Sequence, residues 1–257
     1  GSNEVSSRTG RFQSIIENCR RQGRHVVLEH EARQVLEDVG VNLLAAARLA
    51  TTADQAVATF ESMGRVPVAM KIVSSDIIHK TEAGGVKLNV SDAFSVRDAY
   101  TTILANSIEY AHSHGQGNPD VAGVLVTPMA PVGGVEVIIG VVRDPSYGPV
   151  LMFGLGGVLV EVLRDVVFRS LPITEADARS MLAEIRASQI LDGVRGSRPV
   201  DKDALVDLML GVSRLCTAFP EVAELDLNPV MAYPEGLGIL DVRILLDPKS
   251  PSYSHEK

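Results

Sequence analysis

A polar stretch between two strand-like segments carries residue types that suit phosphate chemistry. Lys71 lies inside the first apolar segment, where its ammonium must be paired or solvated because an unpaired buried charge is costly. The loop that follows carries His79, Lys80, Gly84 and Gly85, and a glycine-rich loop can lay backbone N–H groups against phosphate oxygens. A lysine at a strand end followed by an ordinary hairpin loop would give the same pattern without any ligand. The combination with the motifs below favours a phosphate site.

Three oxygen-bearing side chains near the C-terminus are spaced to bind a metal ion. Asp226 and Asn228 are two residues apart on a predicted strand, so they point to the same face of a sheet. The segment 232–238 predicts a hairpin-like connection, which would place Asn228 almost opposite Asp241. Such oxygens, completed by water and substrate phosphates, are the ligands that Mg²⁺ prefers. The alternative is a polar sheet face on which Asn228-Pro229 only ends the strand.

A glycine-rich turn in the second half of the chain predicts close approach to a ligand. Gly156 and Gly157 belong to the motif GLGG between two apolar strands, and glycine in such a place often marks close backbone approach. A tight turn with positive φ angles explains the motif equally well. Glu161, Asp165 and Arg169 follow on apolar strands, which is unexpected unless these strands face a polar cleft.

An apolar strand that ends in Thr-Pro-Met predicts a contact with a flat aromatic base. Val126, Thr127 and Met129 would form this hinge against an adenine ring. Glu136 lies in the next apolar strand and could accept hydrogen bonds from a ribose.

The elements that must hold these residues are strands and helices in succession. Apolar residues at helical spacing predict helices at about 29–39, 52–63, 92–111, 175–186 and 202–218, and Asp92 and Thr174 are predicted caps. Apolar runs bounded by turn signals predict strands at about 66–73, 85–90, 121–127, 134–142, 150–153, 158–162, 166–171, 222–228 and 238–246. Strands gathered into sheets with helices outside indicate an α/β or α+β architecture with two lobes.

The glycine-, asparagine- and histidine-rich loop at 112–120 is the predicted boundary between the lobes. Residues 25–120 would then form the N-terminal lobe and residues 121–248 the C-terminal lobe. Residues 1–24 are predicted to be a polar N-terminal extension that starts with the remnant of a cleaved tag, and residues 249–257 a tail.

Composition limits the class of protein. Of 257 residues, 46% are hydrophobic and 22% charged, which is typical of a globular chain with a real core. A formal net charge of −8 argues against nucleic acid or an anionic membrane as the main partner. Cys19 and Cys216 are far apart and have no metal-ligand spacing, so the chain suits a reducing cytoplasm. No apolar run is long enough to span a bilayer.

Together these motifs resemble a known family, although neither a P-loop nor a dinucleotide-binding fingerprint occurs. The chain closely resembles the ATP-grasp β subunit of ADP-forming acyl-CoA synthetases, which are relatives of the succinyl-CoA synthetase β subunit. The resemblance covers about residues 28–246 and is carried by Lys71, HKTEAGGV (79–86), GVEVIIGVVRDPSYGPV (134–150), FGLGGVLVEVLRDV (153–166) and ELDLNPV (224–230).

The resemblance implies an ATP-grasp fold, in which two lobes clamp ATP or ADP, and a role for each motif. Lys71 matches the phosphate-binding lysine and residues 80–85 the flexible loop. Val126–Met129 match the adenine hinge, although related chains more often carry Gln or Glu where Thr127-Pro128 stands here. Further matches are the nucleotide-binding glutamate at Glu136, the Mg²⁺ ligands at Asp226, Asn228 and Asp241, and a second phosphate carrier at His79. Arg169 would add positive charge.

The implied enzyme is an acid–thiol ligase that interconverts acyl-CoA, phosphate and ADP with free acid, CoA and ATP through phosphohistidine. The family's CoA-binding α part is not recognisable in this sequence, so we expect the chain to be a separate β subunit or a domain of a fused enzyme that works with that partner. Two alternatives remain. One is a non-catalytic nucleotide-sensing ATP-grasp module of a fusion protein, and the other is a different ATP-grasp carboxylate ligase.

Overall fold

A computed structural model describes residues 2–41, 46–157, 164–194 and 196–248, with side chains from Gly10 onward. In chain order its elements are α1 Ser2–Arg21, β1 Val26–Val27, α2 Glu29–Asp38, β2 Arg48–Ala50, α3 Ala53–Ser62, β3 Val68–Ser74, β4 Val86–Val90, α4 Ala93–Ser113, β5 Val121–Pro128, β6 Val135–Asp144, β7 Gly148–Leu155, β8 Val166–Ser170, α5 Glu175–Glu184, a 3-10 turn Ser188–Ile190, α6 Lys202–Ala218, β9 Val222–Ala232, β10 Leu237–Ile239 and β11 Val242–Leu246. None of these helices is long and apolar enough to cross a membrane.

The chain forms two compact units, the smaller of which is Ala45–Ala130. Its four-stranded antiparallel sheet has the order β2-β5-β3-β4. Thr52 and Asp92 cap the two helices, because each accepts a backbone N–H bond from the first helical turn. The sequence predicts the cap at Asp92. Helices α3 and α4 pack on one face of the sheet through a core that contains Phe60, Met70, Ile72, Ile103, Val124 and Val126.

The larger unit consists of Gly1–Leu44 and Pro131–Lys257. Its antiparallel sheet has the order β1-β11-β9-β6-β7-β8, and β10 pairs with β9 beside this path. Alternate residues of the strands join one core with helices α1, α2, α5 and α6, including Phe12, Leu36, Ile139, Phe153, Met181, Leu208 and Leu225. Period-two alternation sends the intervening side chains of these strands to the opposite face of the sheet.

The structure divides the chain at different places from the predicted boundaries. Strand β5 was assigned to the second lobe, but it pairs with β3 along its length, with Leu125 opposite Lys71. The loop at 112–120 therefore only connects α4 to β5 within the smaller unit. Residues 1–24 are also not a separate extension, because Phe12 is buried in the core of the larger unit.

The strands near the C-terminus follow the sequence prediction more closely. The hairpin predicted at 232–238 is present, with Leu237 opposite Ala232. The chain then turns at Leu240-Asp241 and continues in β11, which also pairs with β9. The strand predicted at 158–162 lies outside the described residues.

Candidate functional site

Lys71 lies on the face of the smaller sheet that points away from helices α3 and α4. Its neighbours Met70 and Ile72 are fully buried in the core of this unit, so period-two alternation sends Lys71 to the other face. Its side chain is half-buried. Thr127 of β5 shares this face, because it lies opposite Ala69. The alternation of side chains between the two faces of the sheet therefore explains why a lysine occurs within this apolar segment.

The loop after Lys71 is fixed to the fold where it leaves β3. The Ser74 hydroxyl donates to the carbonyl oxygen of Asp120 (2.6 Å), and the Asp120 N–H donates to the Asp76 carboxylate (2.6 Å). The side chain of Ile77 follows and is only 2% exposed, in the core of the smaller unit. These contacts define an N-terminal anchor of the loop.

A second anchor fixes the loop before it enters β4. Asn106 of α4 donates through Nδ2 to the carbonyl oxygen of Gly84 (3.1 Å). A Cβ at Gly84 would lie 2.7 Å from this Nδ2, and one at Gly85 would lie 2.5 Å from Ile72 Cγ2. Both glycines are thus required for close packing. The N–H groups of Gly84 and Gly85 donate to the carbonyls of Thr81 and Lys80 (3.1 and 2.7 Å), so phosphate contacts by these amides would require those bonds to open.

His79 lies between the two anchors. Its side chain is exposed, and so is that of Ile78, which is 70% exposed whereas its neighbour Ile77 is buried. The His79 carbonyl accepts a hydrogen bond from Ala83 N–H (3.0 Å). The loop therefore presents an imidazole on a short segment, at about 78–82, that is held at both ends.

The residues of the predicted adenine hinge do not all lie on the same face of the sheet. The Val126 side chain is fully buried among core residues and does not lie on the Lys71 face, and its strand pairs with β2 and β3 on either side. Thr127 is half-buried on that face. The Met129 N–H donates to the Pro67 carbonyl (2.9 Å), and its sulfur accepts the Asn89 N–H (3.5 Å). Directly after Met129, the chain passes from the smaller unit to the larger one, between residues 130 and 131.

In the larger unit, the glycine-rich turn packs on Glu136. The Gly156 N–H donates to the Glu136 carbonyl (2.8 Å), and a Cβ at Gly156 would lie 3.1 Å from Glu136 Cβ. Gly157 has a φ of +72°, and a Cβ there would lie 2.8 Å from Glu136 Oε2. The structure thus brings two separately predicted motifs together around one exposed carboxylate.

The predicted metal ligands are neighbours at the end of the β9–β11 pair. Asp226 and Asn228 lie on the face of β9 opposite the core, and the Asn228 N–H donates to the Asp241 carbonyl (3.2 Å). Asp226 lies opposite Gly140 of β6, and a Cβ at Gly140 would approach Asp226 Oδ1 to 3.7 Å. The absence of a side chain at Gly140 leaves room above this carboxylate.

The electrostatics at Asp226 fit a bound cation. Burial raises the pKa of Asp226, and the nearby carboxylates of Glu224 and Asp241 raise it further, whereas Arg243 lowers it. The described residues contain no group of three His, Cys, Asp or Glu side chains arranged to hold a metal. This donor set fits Mg²⁺, which commonly binds through one or two carboxylates plus waters and substrate phosphates.

Two charged residues near this face were not singled out as site residues from the sequence. Glu224 precedes Asp226 by two residues and shares its face, and Arg243 lies directly opposite Asp226 on β11. The signal was available in both strands, because residues two apart on a strand share a face.

Arg169 lies on the wrong face of the sheet for the role that was predicted. It is opposite Leu151, whose side chain belongs to the helix-covered core, and it forms an ion pair with Glu184 of α5. Asp165 is buried, and its carboxylate accepts the backbone N–H groups of Arg186 and Ala187 (2.6 and 2.8 Å). Neither residue lines a polar cleft with Asp226, and Glu161 lies outside the described residues.

The chain belongs to a known family, since a family model described as an ATP-grasp domain matches residues 18–246. The predicted mixed helix-and-sheet ATP-grasp fold is thereby confirmed. More specifically, the chain is 41% identical over 239 residues to the acetate–CoA ligase [ADP-forming] I subunit beta of Pyrococcus furiosus, covering 93% of this chain and 99% of that protein. The resemblance inferred from the motifs is therefore also confirmed.

Other relatives are longer or have been solved with ligands. The acetate–CoA ligase [ADP-forming] I of Archaeoglobus fulgidus is 43% identical over 95% of this chain, which spans 34% of that protein. A structure of acetyl-coenzyme A synthetase 1 from Ca. Korarchaeum cryptofilum with coenzyme A and Ca-AMPCP matches with a TM-score of 0.84 and 42% identity, over 91% of this chain and 99% of the matched chain. The same synthetase with coenzyme A and Mg-AMPPCP matches with a TM-score of 0.77 and 40% identity, over the same shares.

Proposed function

We propose that this chain is the nucleotide-binding β-type part of an ADP-forming acyl-CoA synthetase, an acid–thiol ligase that forms ATP from acyl-CoA, ADP and phosphate. The observation that carries the proposal is the 41% identity to a β subunit over 99% of that subunit's length. The neighbouring Asp226, Asn228 and Asp241 support it, because phosphoryl transfer depends mainly on positioning and charge neutralisation.

The nucleotide would be ATP or ADP. Lys71 and Lys80 would neutralise phosphate oxygens, and the turn at Gly84-Gly85 would shape the loop that carries Lys80. In the larger unit, Glu136 would accept hydrogen bonds from the ribose. Around these contacts, the base would meet Val126, Thr127 and Met129, and the turn at Gly156 and Gly157 would approach the ligand through its backbone.

Asp226, Asn228 and Asp241 would hold Mg²⁺. When bound, the ion supplies charge neutralisation to the phosphates and fixes their orientation. The chain's own contribution is a face on which Asp226 is desolvated and repelled by neighbouring carboxylates. A cation there relieves the repulsion, so the site favours binding.

His79 would carry the phosphoryl group. A neutral imidazole nitrogen is a nucleophile near pH 7. It would attack the phosphorus of a phosphohistidine on the α-type partner, forming a new N–P bond as the donor's N–P bond breaks. An oxygen of the ADP β-phosphate would then attack the same phosphorus, and the bond to His79 would break as ATP forms.

The partner would be a CoA-binding α-type subunit or domain. Relatives occur both as a separate β subunit and as longer single chains, which supports either arrangement. The two free cysteines are buried, which supports a reducing compartment such as the cytoplasm.

The proposal is tested with this chain alone by running the last step backwards. Incubation with [γ-³²P]ATP and Mg²⁺ is expected to label the protein with a phosphate that is stable to base and lost in acid, as phosphohistidine is. His79→Ala should abolish the label. The matched control His112→Ala removes another exposed histidine of the same unit and should keep it. Binding of ATP without labelling would instead favour a non-catalytic nucleotide sensor.

A further inference from the structure

A buried ion pair joins two residues one turn apart in α2. Arg33 Nη2 lies 3.2 Å from Glu29 Oε1, and the two residues are only 6% and 4% exposed. Removing two charges from water costs several kcal/mol per ion, so a buried pair is weak evidence for a contribution to stability. The presence of this pair therefore needs an explanation other than stability.

The same Arg33 nitrogen reaches the strand end that carries a candidate metal ligand. Nη2 donates to the carbonyl oxygen of Leu240 (3.2 Å), 207 residues along the chain. That carbonyl belongs to the peptide group that links Leu240 to Asp241. Arg33 therefore holds the peptide plane from which the Asp241 backbone starts.

Two backbone bonds hold this corner from the other side. The Leu240 N–H donates to the Pro229 carbonyl (3.1 Å), and the Asn228 N–H donates to the Asp241 carbonyl (3.2 Å). The peptide groups before and after the Leu240–Asp241 peptide are thus bonded to β9, and the Leu240–Asp241 peptide itself accepts a bond from Arg33. Loss of the Arg33 bond would remove one of the contacts that set its orientation.

The arginine is not arranged for greatest stability. Its Nε is buried without a hydrogen-bond partner among the described residues, and an unsatisfied buried donor costs free energy. The guanidinium contacts Glu29 and Leu240 through Nη2 and leaves Nε without a hydrogen bond in the described part of the chain. This arrangement is expected if the role of Arg33 is to position Leu240.

We propose that the Glu29–Arg33 pair is a positioning pair for Mg²⁺ binding, which fixes the Leu240–Asp241 peptide so that the Asp241 carboxylate faces the same ion as Asn228. The inference rests on the proposed function, because it needs Asp241 to be a metal ligand. Groups behind the ligands of a metal site typically change metal affinity by roughly 10–100-fold when they are removed. Arg33 would act only through Asp241.

A second pair beside the same helix provides a matched control. Arg24 Nη1 lies 3.4 Å from Glu31 Oε1 and also donates to the Val26 carbonyl (3.1 Å). None of the contacts described for Arg24 involves Leu240 or Asp241. Arg24→Met therefore removes a comparable ion pair from the start of α2 without touching the metal-binding corner.

The experiment measures ADP affinity by calorimetry with and without Mg²⁺. The proteins compared are wild type, the single variants Arg33→Met, Arg24→Met and Asp241→Asn, and the double variant that combines Asp241→Asn with Arg33→Met. Arg33→Met is expected to reduce the Mg²⁺-dependent gain in affinity roughly tenfold, with little change in Mg²⁺-free affinity. Arg24→Met should keep the gain. In the Asp241→Asn background, Arg33→Met should cause no further loss.

The other outcomes separate the possible errors. A lower melting temperature with an unchanged Mg²⁺-dependent gain in Arg33→Met would show that the pair only ties α2 to the sheet. If Arg33→Met reduced the Mg²⁺-dependent gain equally in wild type and in Asp241→Asn, Arg33 would not act through the Asp241 carboxylate. A wild-type chain that binds no ADP would instead overturn the proposed function, and the inference with it.

Milder variants keep the test decisive if Arg33→Met does not fold. Glu29→Gln retains the size of the side chain but leaves Arg33 without its counter-charge, so it should reduce the Mg²⁺-dependent gain in the same direction. Arg33→Lys keeps the charge but lacks the planar fork that can meet two acceptors, and it should restore only part of the gain. An unchanged gain in both variants would contradict the proposal.

Discussion

Lys71 is predicted to be a site residue because it is a lysine within an apolar strand, and strand alternation explains its placement. It is flanked by fully buried neighbours on β3, and its half-buried side chain lies on the face opposite helices α3 and α4. Replacing it with alanine should weaken ADP binding about tenfold or more, because a hydrogen bond to a charged group is worth roughly 1.5–3 kcal/mol.

The measurement is calorimetry of ADP binding to Lys71→Ala beside Lys87→Ala. Lys87 is an exposed lysine on the adjacent strand β4, so its loss tests the effect of general charge. Equal affinity in the two variants would remove Lys71 from the phosphate site.

If Asp226 is a metal ligand as proposed, its carboxylate should bind the ion at a cost to the stability of the fold. Its carboxylate is desolvated and repelled by Glu224 and Asp241, which raises its pKa. Folding thus makes this carboxylate harder to ionise. Because pH 7 lies above the pKa that the group has in the unfolded chain, the raised pKa lowers the free energy of unfolding at this pH. Asp226→Asn should raise the melting temperature at pH 7 while reducing Mg²⁺-dependent ADP affinity about tenfold or more.

Thermal unfolding and calorimetry on the same samples check both halves of this expectation. Glu235→Ala is a suitable control, because Glu235 is an exposed carboxylate in the neighbouring hairpin. A fall in melting temperature together with intact Mg²⁺ dependence would show that Asp226 is a structural residue.

At the scale of elements, the loop between β3 and β4 is defined by its two anchors. Two adjacent isoleucines differ sharply, since Ile77 is 2% exposed and Ile78 is 70% exposed. Both are apolar, and the sequence alone does not say which of the two packs. The structure answers this, and it limits any movement of His79 to the short segment between the anchors.

Ile77→Ala should destabilise the protein by about 2–5 kcal/mol, the usual cost of deleting a fully buried isoleucine side chain. Ile78→Ala should change stability by less than about 0.5 kcal/mol, as exposed substitutions usually do. Urea unfolding of both variants gives the comparison. Similar losses would mean that the two side chains pack to a similar extent.

Single elements were predictable where their signal is local. The cap at Asp92 and the hairpin at 232–238 are examples, because each depends on residues close together in the chain. Arg169 was misplaced because alternation along a strand gives two faces but does not say which one the helices cover. That choice depends on pairing with β7, which is a long-range contact.

At the scale of the whole molecule, the sequence predicts the family but not the path of the chain. The motifs were sufficient for the ATP-grasp assignment because they are short and occur in a fixed order. The larger unit is assembled from two separate parts of the sequence, and no local signal marks such a discontinuity. Helix α1 was therefore described as an extension although it belongs to the core.

The isolated chain is expected not to form acyl-CoA. Its proposed part in the reaction begins with a phosphoryl group from an α-type partner and ends with ATP. Mixing the chain with acetate, CoA and Mg-ATP should give no acetyl-CoA above background by chromatography. Turnover that depends on CoA and needs no added partner would contradict the assignment as a β-type subunit.

The smaller unit begins and ends on neighbouring strands, with Arg48 of β2 opposite Val126 of β5. Adjacent strands in a sheet lie about 5 Å apart, so the two connections to the rest of the chain leave this unit almost side by side. In evolutionary terms, residues 45–130 have the form of a cassette inserted at one point of a host domain. Lengthening or exchanging such a cassette need not stretch its host, because both of its ends lie at the same edge of the smaller sheet.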